Sequence, residues 1–384
     1  FKEFKEFKEF KEFKEFKESL KIRDLIMKKL TFVISLLVVA LGGYAQTPAD
    51  QLFSRLKQLQ EKGVMFGQQD SPFYGFSWTN IGKEGVINPD KNDIKDVCGD
   101  LPAVMGFDLG GLEYFSTKDI DGVPFEYERK EIIKHHERGG IVTLSWHPIN
   151  PANNQNAWNV EGEPVAKVLP GGELNGKFNM WLDELVAFIK SLKDSKGDAI
   201  PLIFRPWHEM NGGWFWWGVK SCTPEQYKQL FRYTYYYMMA KGDFNNIIWA
   251  YSPNLGNRSV EEYMRFYPGD FIRLLGADCY QYSPKKPYID GTRAEISFMN
   301  AVAEKSGQLI ALTEFGFKNC DDAKWYTTSI WPAIEGYKLS HILTWRNAYA
   351  DASEAFGPYP GKIEAKDFVK FVAKKEILML SDIE

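Results

Sequence analysis

A parallel (β/α)8 barrel is the fold this sequence predicts, and three observations predict it. Eight short apolar runs, each closing on polar residues or glycine, recur between residues 63 and 348. Segments with helical spacing lie between them, and no internal domain linker interrupts the alternation. Alternating strands and helices favour a parallel sheet covered on both faces, and eight such units close into a barrel. A doubly wound open sheet is the structural alternative.

The runs are GVMFGQQ (63–69), AVMGFDLG (103–110), IVTLSWHP (141–148) and PLIFRPWHE (201–209), followed by NIIWAYSPN (246–254), LLGADCYQY (274–282), LIALTEFGF (309–317) and HILTWRNA (341–348). Their β-branched and aromatic character, without polar alternation, reads as strands buried on both faces. Helices are expected over 126–140 and 178–193, where Phe178, Trp181, Leu182, Leu185, Phe188, Ile189 and Leu192 recur at three and four. A third, 224–240, opens with Thr223 as N-cap and Pro224 at the first helical position, and a fourth, 293–307, ends at Gly307. Residues 150–177 read as a long polar loop.

The first 45 residues read as something other than fold. Residues 1–18 repeat FKE six times, a period that suits neither helix nor strand, and 1–26 are taken as a non-native or disordered leader. From Met27 the chain has a basic start (Lys28, Lys29), an apolar stretch and small residues at Gly43 and Ala45, the pattern of a secretory signal over 27–45. It is too short to span a membrane. The expected domain is 46–384, exported to the periplasm or beyond the cell of a bacterium, and monomeric. Its 37 basic and 44 acidic residues leave a net charge of −7 with no basic block, which argues against nucleic acid. Cys98, Cys222, Cys279 and Cys320 fit no zinc spacing, and export permits disulfides that sequence cannot assign.

In such a barrel the chemistry sits where the strands end. The polar residues there are Asp108, His147, Arg205, His208, Glu209, Asn254, Asp278, Tyr280, Tyr282, Glu314, Trp345 and Arg346. Glu209 closes the fourth run and Glu314 the seventh, so the two face each other across the mouth. Two opposed carboxylates in an aromatic cleft are glycosidase equipment. A separation of about 5–5.5 Å implies a covalent intermediate and retention, and about 6.5–9.5 Å implies inversion. The acid needs burial or a neighbouring negative charge, which Trp207 and the WFWW run supply for Glu209. The nucleophile needs donors, and Arg205 and Tyr280 are candidates at Glu314. No metal is expected: His147, His208 and Glu209 could ligate one, but H-E-x-x-H and a third strand-end histidine are absent. No cofactor is expected either, since G-x-G-x-x-G is absent. Asn211-Gly212-Gly213 before WFWW suggests a loop that turns some of those rings into the cleft.

RPWHEMNGGWFWWG (205–218) together with ALTEFGF (311–317) resembles glycoside hydrolase family 26, chiefly β-mannanases, and the similarity runs from the GQQ of the first strand to the LTWRNA of the eighth. The resemblance implies a retaining β-1,4-mannanase acting on mannan, galactomannan or manno-oligosaccharides, with Glu209 as acid/base and Glu314 as nucleophile. It further implies that His147, Trp158, His208, Trp214, Tyr280, Trp345 and Arg346 contact the sugar. Trp214 would line the leaving-group side, Trp345 would lie under the sugar ring and Arg346 would grip the next sugar out. Alternatives are the same mechanism on mixed-linkage glucan or β-1,3-xylan, and a non-catalytic glycan-binding protein. The 110–126 and 150–177 loops are expected to decide between internal and chain-end cleavage.

Overall fold

The computed structural model describes residues 46–82, 85–86 and 91–384, so the leader (1–26) and the signal segment (27–45) lie outside the described residues. The eight predicted runs fold as β1 (Val64–Gln69), β2 (Val104–Asp108), β3 (Ile141–Trp146), β4 (Leu202–Pro206), β5 (Ile247–Tyr251), β6 (Ile272–Tyr280), β7 (Leu309–Gly316) and β8 (His341–Thr344). Each pairs in parallel with its neighbour in sequence. β8 then pairs with β1, Met65 opposite His341, which closes the barrel. The strands read as unbroken apolar runs because helices cover one face and the barrel interior the other.

One buried aliphatic residue from each strand forms a layer inside the barrel: Met65, Val104, Ile141, Ile203, Ile248, Leu274, Leu309 and Leu343. Helix α1 (Pro48–Lys62) sets Leu52, Leu56 and Leu59 against this layer and plugs the end where the strands begin. Thr47 accepts from the Asp50 N–H and Asp50 returns the bond, a capping box with Pro48 just inside it. With that end closed, only the end where the strands finish is left to hold a site.

The other elements refine the sequence reading. The helices expected at 126–140, 178–193 and 224–240 occupy Phe125–Glu137, Asn175–Ser191 and Pro224–Gly242. The fourth runs Lys285–Ser306, eight residues longer at its start than the spacing suggests, with Gly307 left-handed at its end. Pro287 lies in its first turn, where a missing N–H costs no helical bond. The 150–177 stretch is not loop throughout: Pro164–Val168 form a helical turn and the next helix starts at Asn175. All four cysteines are free. No helix among the described residues is long and apolar enough to cross a membrane.

Candidate active site

β4 ends at Pro206, and the chain then makes a strained turn. Trp207 and Glu209 both adopt left-handed backbone, at φ +59° and +53°. Each such residue costs on the order of 1–3 kcal/mol, so the surroundings must enforce it. They do so by clamping the backbone. Tyr227 donates its hydroxyl to the Trp207 carbonyl at 2.7 Å, Trp217 its indole N–H to the His208 carbonyl at 2.7 Å, and the Glu209 N–H donates to the Ser252 carbonyl at 2.8 Å. The Trp207 ring is fully buried among Trp146, Trp216 and Trp217, and its N–H donates to Thr234. The aromatic run therefore divides its labour: Trp216 and Trp217 hold the turn in the core, while Trp214 and Phe215 line the cleft.

That turn aims Glu209 at Glu314. One oxygen each of Glu209, Glu314 and Asp278 lie within 4.8 Å of one another, all three side chains buried. Asp278 reaches this group through a register shift between Ala277 and Asp278 that pairs it with Glu314, the kind of irregularity that re-aims a side chain. Arg205 runs between two of the acids, donating from Nη1 to Asp278 at 3.0 Å and from Nη2 to Glu314. Tyr280 donates to the second Glu314 oxygen at 2.6 Å. Ser252 and Thr313 each lie 2.8 Å from Asp278 Oδ1. Two of the three carboxylates thus already hold a fixed guanidinium.

The electrostatics separate the acids. Burial, then the charges of Asp278 and Glu314, push the Glu209 carboxyl well above the usual range, and the Trp214 indole N–H at 2.8 Å opposes this only in part. Asp278 is pushed up to about 7, first by burial, with Arg205 pulling the other way. His208 is held neutral by burial and by the positive charges of Arg205 and His147. His147 is the opposite case: burial would lower it, but Asp108, whose Oδ2 lies 2.6 Å from Nδ1, raises it overall.

Above this group opens a cleft of about 860 Å³, within the size range of small-molecule sites. It is lined by Glu209, Glu314, His147, Trp158, His208, Trp214, Tyr280 and Trp345 among the residues predicted from sequence. Trp158 is half-exposed and stacks on His147 with ring centres 5.6 Å apart. Arg346 is not in this lining; its Nε lies 3.2 Å from Asp121 and its Nη2 3.9 Å from Glu354. Asn254, Leu255, Tyr282, Ser283, Lys318, Glu354 and Phe356 also line the cleft. Asn254 and Tyr282 were visible as polar strand ends. The others sit in loops, with no strand end to point to them.

The family model of glycosyl hydrolase family 26 matches residues 42–343. A family 26 β-mannanase from Bacteroides ovatus superposes with a TM-score of 0.83 at 41% identity, covering 88% of this chain and 96% of that one. The catalytic domain of a family 26 endo-β-1,4-mannanase from a Bacillus species does so at 0.79 and 30%, covering 88% and 93%. A protein of Bifidobacterium adolescentis named mannan endo-1,4-β-mannosidase is 30% identical over 353 residues, 86% of this chain. The chain spans 34% of that relative's length, and 52% of a Bacillus subtilis relative of the same name.

Proposed function

The chain belongs to glycosyl hydrolase family 26, and from that premise we propose that it hydrolyses β-1,4-mannosidic bonds in mannan with retention of configuration. The observation that carries the mechanism is the close approach of Glu209 and Glu314, whose nearest oxygens fall within 4.8 Å. That favours the short carboxylate separation of a double displacement over the roughly 6.5–9.5 Å that leaves room for an attacking water.

In the first step an oxygen of Glu314 forms a bond to the anomeric carbon while the glycosidic C–O bond breaks. Glu209 gives its proton to the departing oxygen. Arg205 and Tyr280 support this division, since they donate to the two Glu314 oxygens and aim them. Glu209 enters protonated because it is buried beside two acids. Once Glu314 is esterified, one of those negative charges is gone. Glu209, its proton now on the departed oxygen, therefore rests more easily as a carboxylate, and it takes a proton from the water that attacks the anomeric carbon. The same displacement expels Glu314 and returns the proton to Glu209. Neutral His208, charged His147, Trp158, Trp214 and Trp345 line the cleft as the sugar-contacting walls, and Arg346 lies beyond them towards the next sugar. No step calls for a metal or cofactor.

The time course of products from unbranched mannan tests this reading. Reducing ends should appear with the β-configuration retained, and a ladder of sizes marks internal cutting. No release from mannan, with release from mixed-linkage glucan or β-1,3-xylan, overturns the substrate. Inversion of the first-formed product overturns the mechanism. We further propose that residues 27–45 direct export and are removed, leaving 46–384 as a monomeric catalytic domain. The mass of the exported protein should then correspond to a start at Gln46.

A further inference from the structure

Beside the cleft, on the side of β8, β1 and β2, a largely buried polar chain leads to Arg346, and the chemistry above leaves its other members unused. The Tyr74 hydroxyl oxygen is 2.8 Å from Asp70 Oδ2 and 3.0 Å from Asp121 Oδ2. Asp121 in turn lies 3.2 Å from Arg346 Nε. A phenol has one proton and can donate to one carboxylate only. Two ionised carboxylates on the same hydroxyl would leave one of them facing an oxygen lone pair. The chain therefore holds one extra proton. Asp70 is the place for it, because its side chain is almost completely buried and meets no cation directly, whereas Asp121 faces a guanidinium. With that proton Asp70 donates to Tyr74, Tyr74 donates to Asp121, and Asp121 is ion-paired with Arg346.

The support for this chain is rigid. Tyr74 stands in a two-stranded hairpin, Tyr74–Gly75 paired with Trp78–Thr79. Asp93 accepts from the Phe76 N–H at 2.8 Å and from the Trp78 indole at 2.6 Å, and also from Asn347 Nδ2 at 2.9 Å. The hairpin is thus tied to the residue that follows Arg346. Phe76 stacks flat on Tyr359, ring centres 3.8 Å apart.

We propose that Tyr74 is a positioning residue, ordering Asp121 through a hydrogen bond of fixed direction so that Arg346 is held to receive the sugar beyond the one cleaved. This rests on the mannan reading above. Tyr74 touches no substrate; it acts through Arg346.

A double-mutant cycle tests it, with kcat and KM measured on mannopentaose for wild type, Tyr74→Phe, Arg346→Ala and the double variant, and Tm recorded for each. Tyr74→Phe is expected to lower kcat/KM about 10-fold, mostly through KM, as befits one lost hydrogen bond to a charged group. In the Arg346→Ala background it should have no further effect. Asp121→Asn should behave as Tyr74→Phe does, which keeps the test open if the phenylalanine variant folds poorly. Additive losses, or a wild-type rate in both Tyr74→Phe and Asp121→Asn, would overturn the inference alone. A wild-type protein that releases nothing from mannopentaose or mannan would instead overturn the substrate reading, and this inference with it.

Discussion

Glu209 and Glu314 are the same residue type, both buried, at the ends of strands on opposite sides of one barrel, yet their settings are opposites. Glu314 stands within a strand, β7, beside the register shift that pairs it with Asp278, and receives a guanidinium on one oxygen and a phenol on the other. Glu209 stands past the end of β4 on a strained turn, and among the described residues a single indole N–H donates to its side chain. Donor count and backbone strain, rather than residue identity, set apart the two roles we propose for them. The carboxylate we propose as attacking group is given two fixed donors, one of them a guanidinium. One that must carry a proton is kept short of them and placed near other acids. The strain at Trp207 and Glu209 is where the fold sacrifices stability to function, and the buried tryptophans sustain it.

The sharpest way to break this comparison is to remove the group we assign as nucleophile. Glu314→Gln keeps the shape and the Tyr280 contact but cannot form the ester. Turnover of mannan should fall on the order of 10⁴-fold or more, with an unchanged circular dichroism spectrum. Residual activity near wild type would remove Glu314 from the reaction. Next comes Glu209→Ala, with an expected loss of about 10²–10⁴-fold on mannan. An aryl mannoside with a good leaving group needs no proton in the first step, so its burst of released phenol should survive while later turnover stalls. Equal loss on both substrates would mean that Glu209 is not the acid. The third in size is Tyr280→Phe, which takes one of two donors from Glu314. The loss in kcat/KM should be about 10-fold, that of one hydrogen bond to a charged group, and a loss as large as that of Glu314→Gln would show that Tyr280 does more than orient.

The same contrast explains what was legible in the sequence. The eight strands were readable because a strand buried on both faces has no choice but to be apolar throughout, and Glu209 and Glu314 stood out because each interrupts such a run at its end. Arg205 and Tyr280 could be named as Glu314's partners on the same ground. The close grouping of Asp278 with both glutamates was not readable, since it depends on a register shift that no local pattern announces. α1 went unnamed although Thr47, Pro48 and Asp50 spell its cap. The turn at Pro164–Val168 is fixed by side chains reaching to backbone, Asn150 to the carbonyls of Asn159 and Glu161, and Asn175 to that of Val168. Lys318, Glu354 and Phe356 come to the cleft on loops after β7 and β8, and only the closed barrel brings those loops together.

The smallest expected effect bears most directly on how Glu209 keeps its proton. Trp214 donates the one hydrogen bond that favours the ionised form of Glu209, against burial and two negative neighbours. Trp214→Phe keeps a ring at the cleft wall and deletes that donor. With the ionised form disfavoured further, the Glu209 carboxyl must move up. The first step needs Glu209 protonated, and that form is lost as pH rises through its titration. The alkaline limb of the kcat/KM profile should therefore shift to higher pH in Trp214→Phe, while a weaker sugar contact raises KM at every pH alike. A limb that stays in place would mean that another group sets it. A limb that moves to lower pH would mean that Trp214 stabilises the protonated acid, and the division of roles drawn from donor count would be wrong at Glu209.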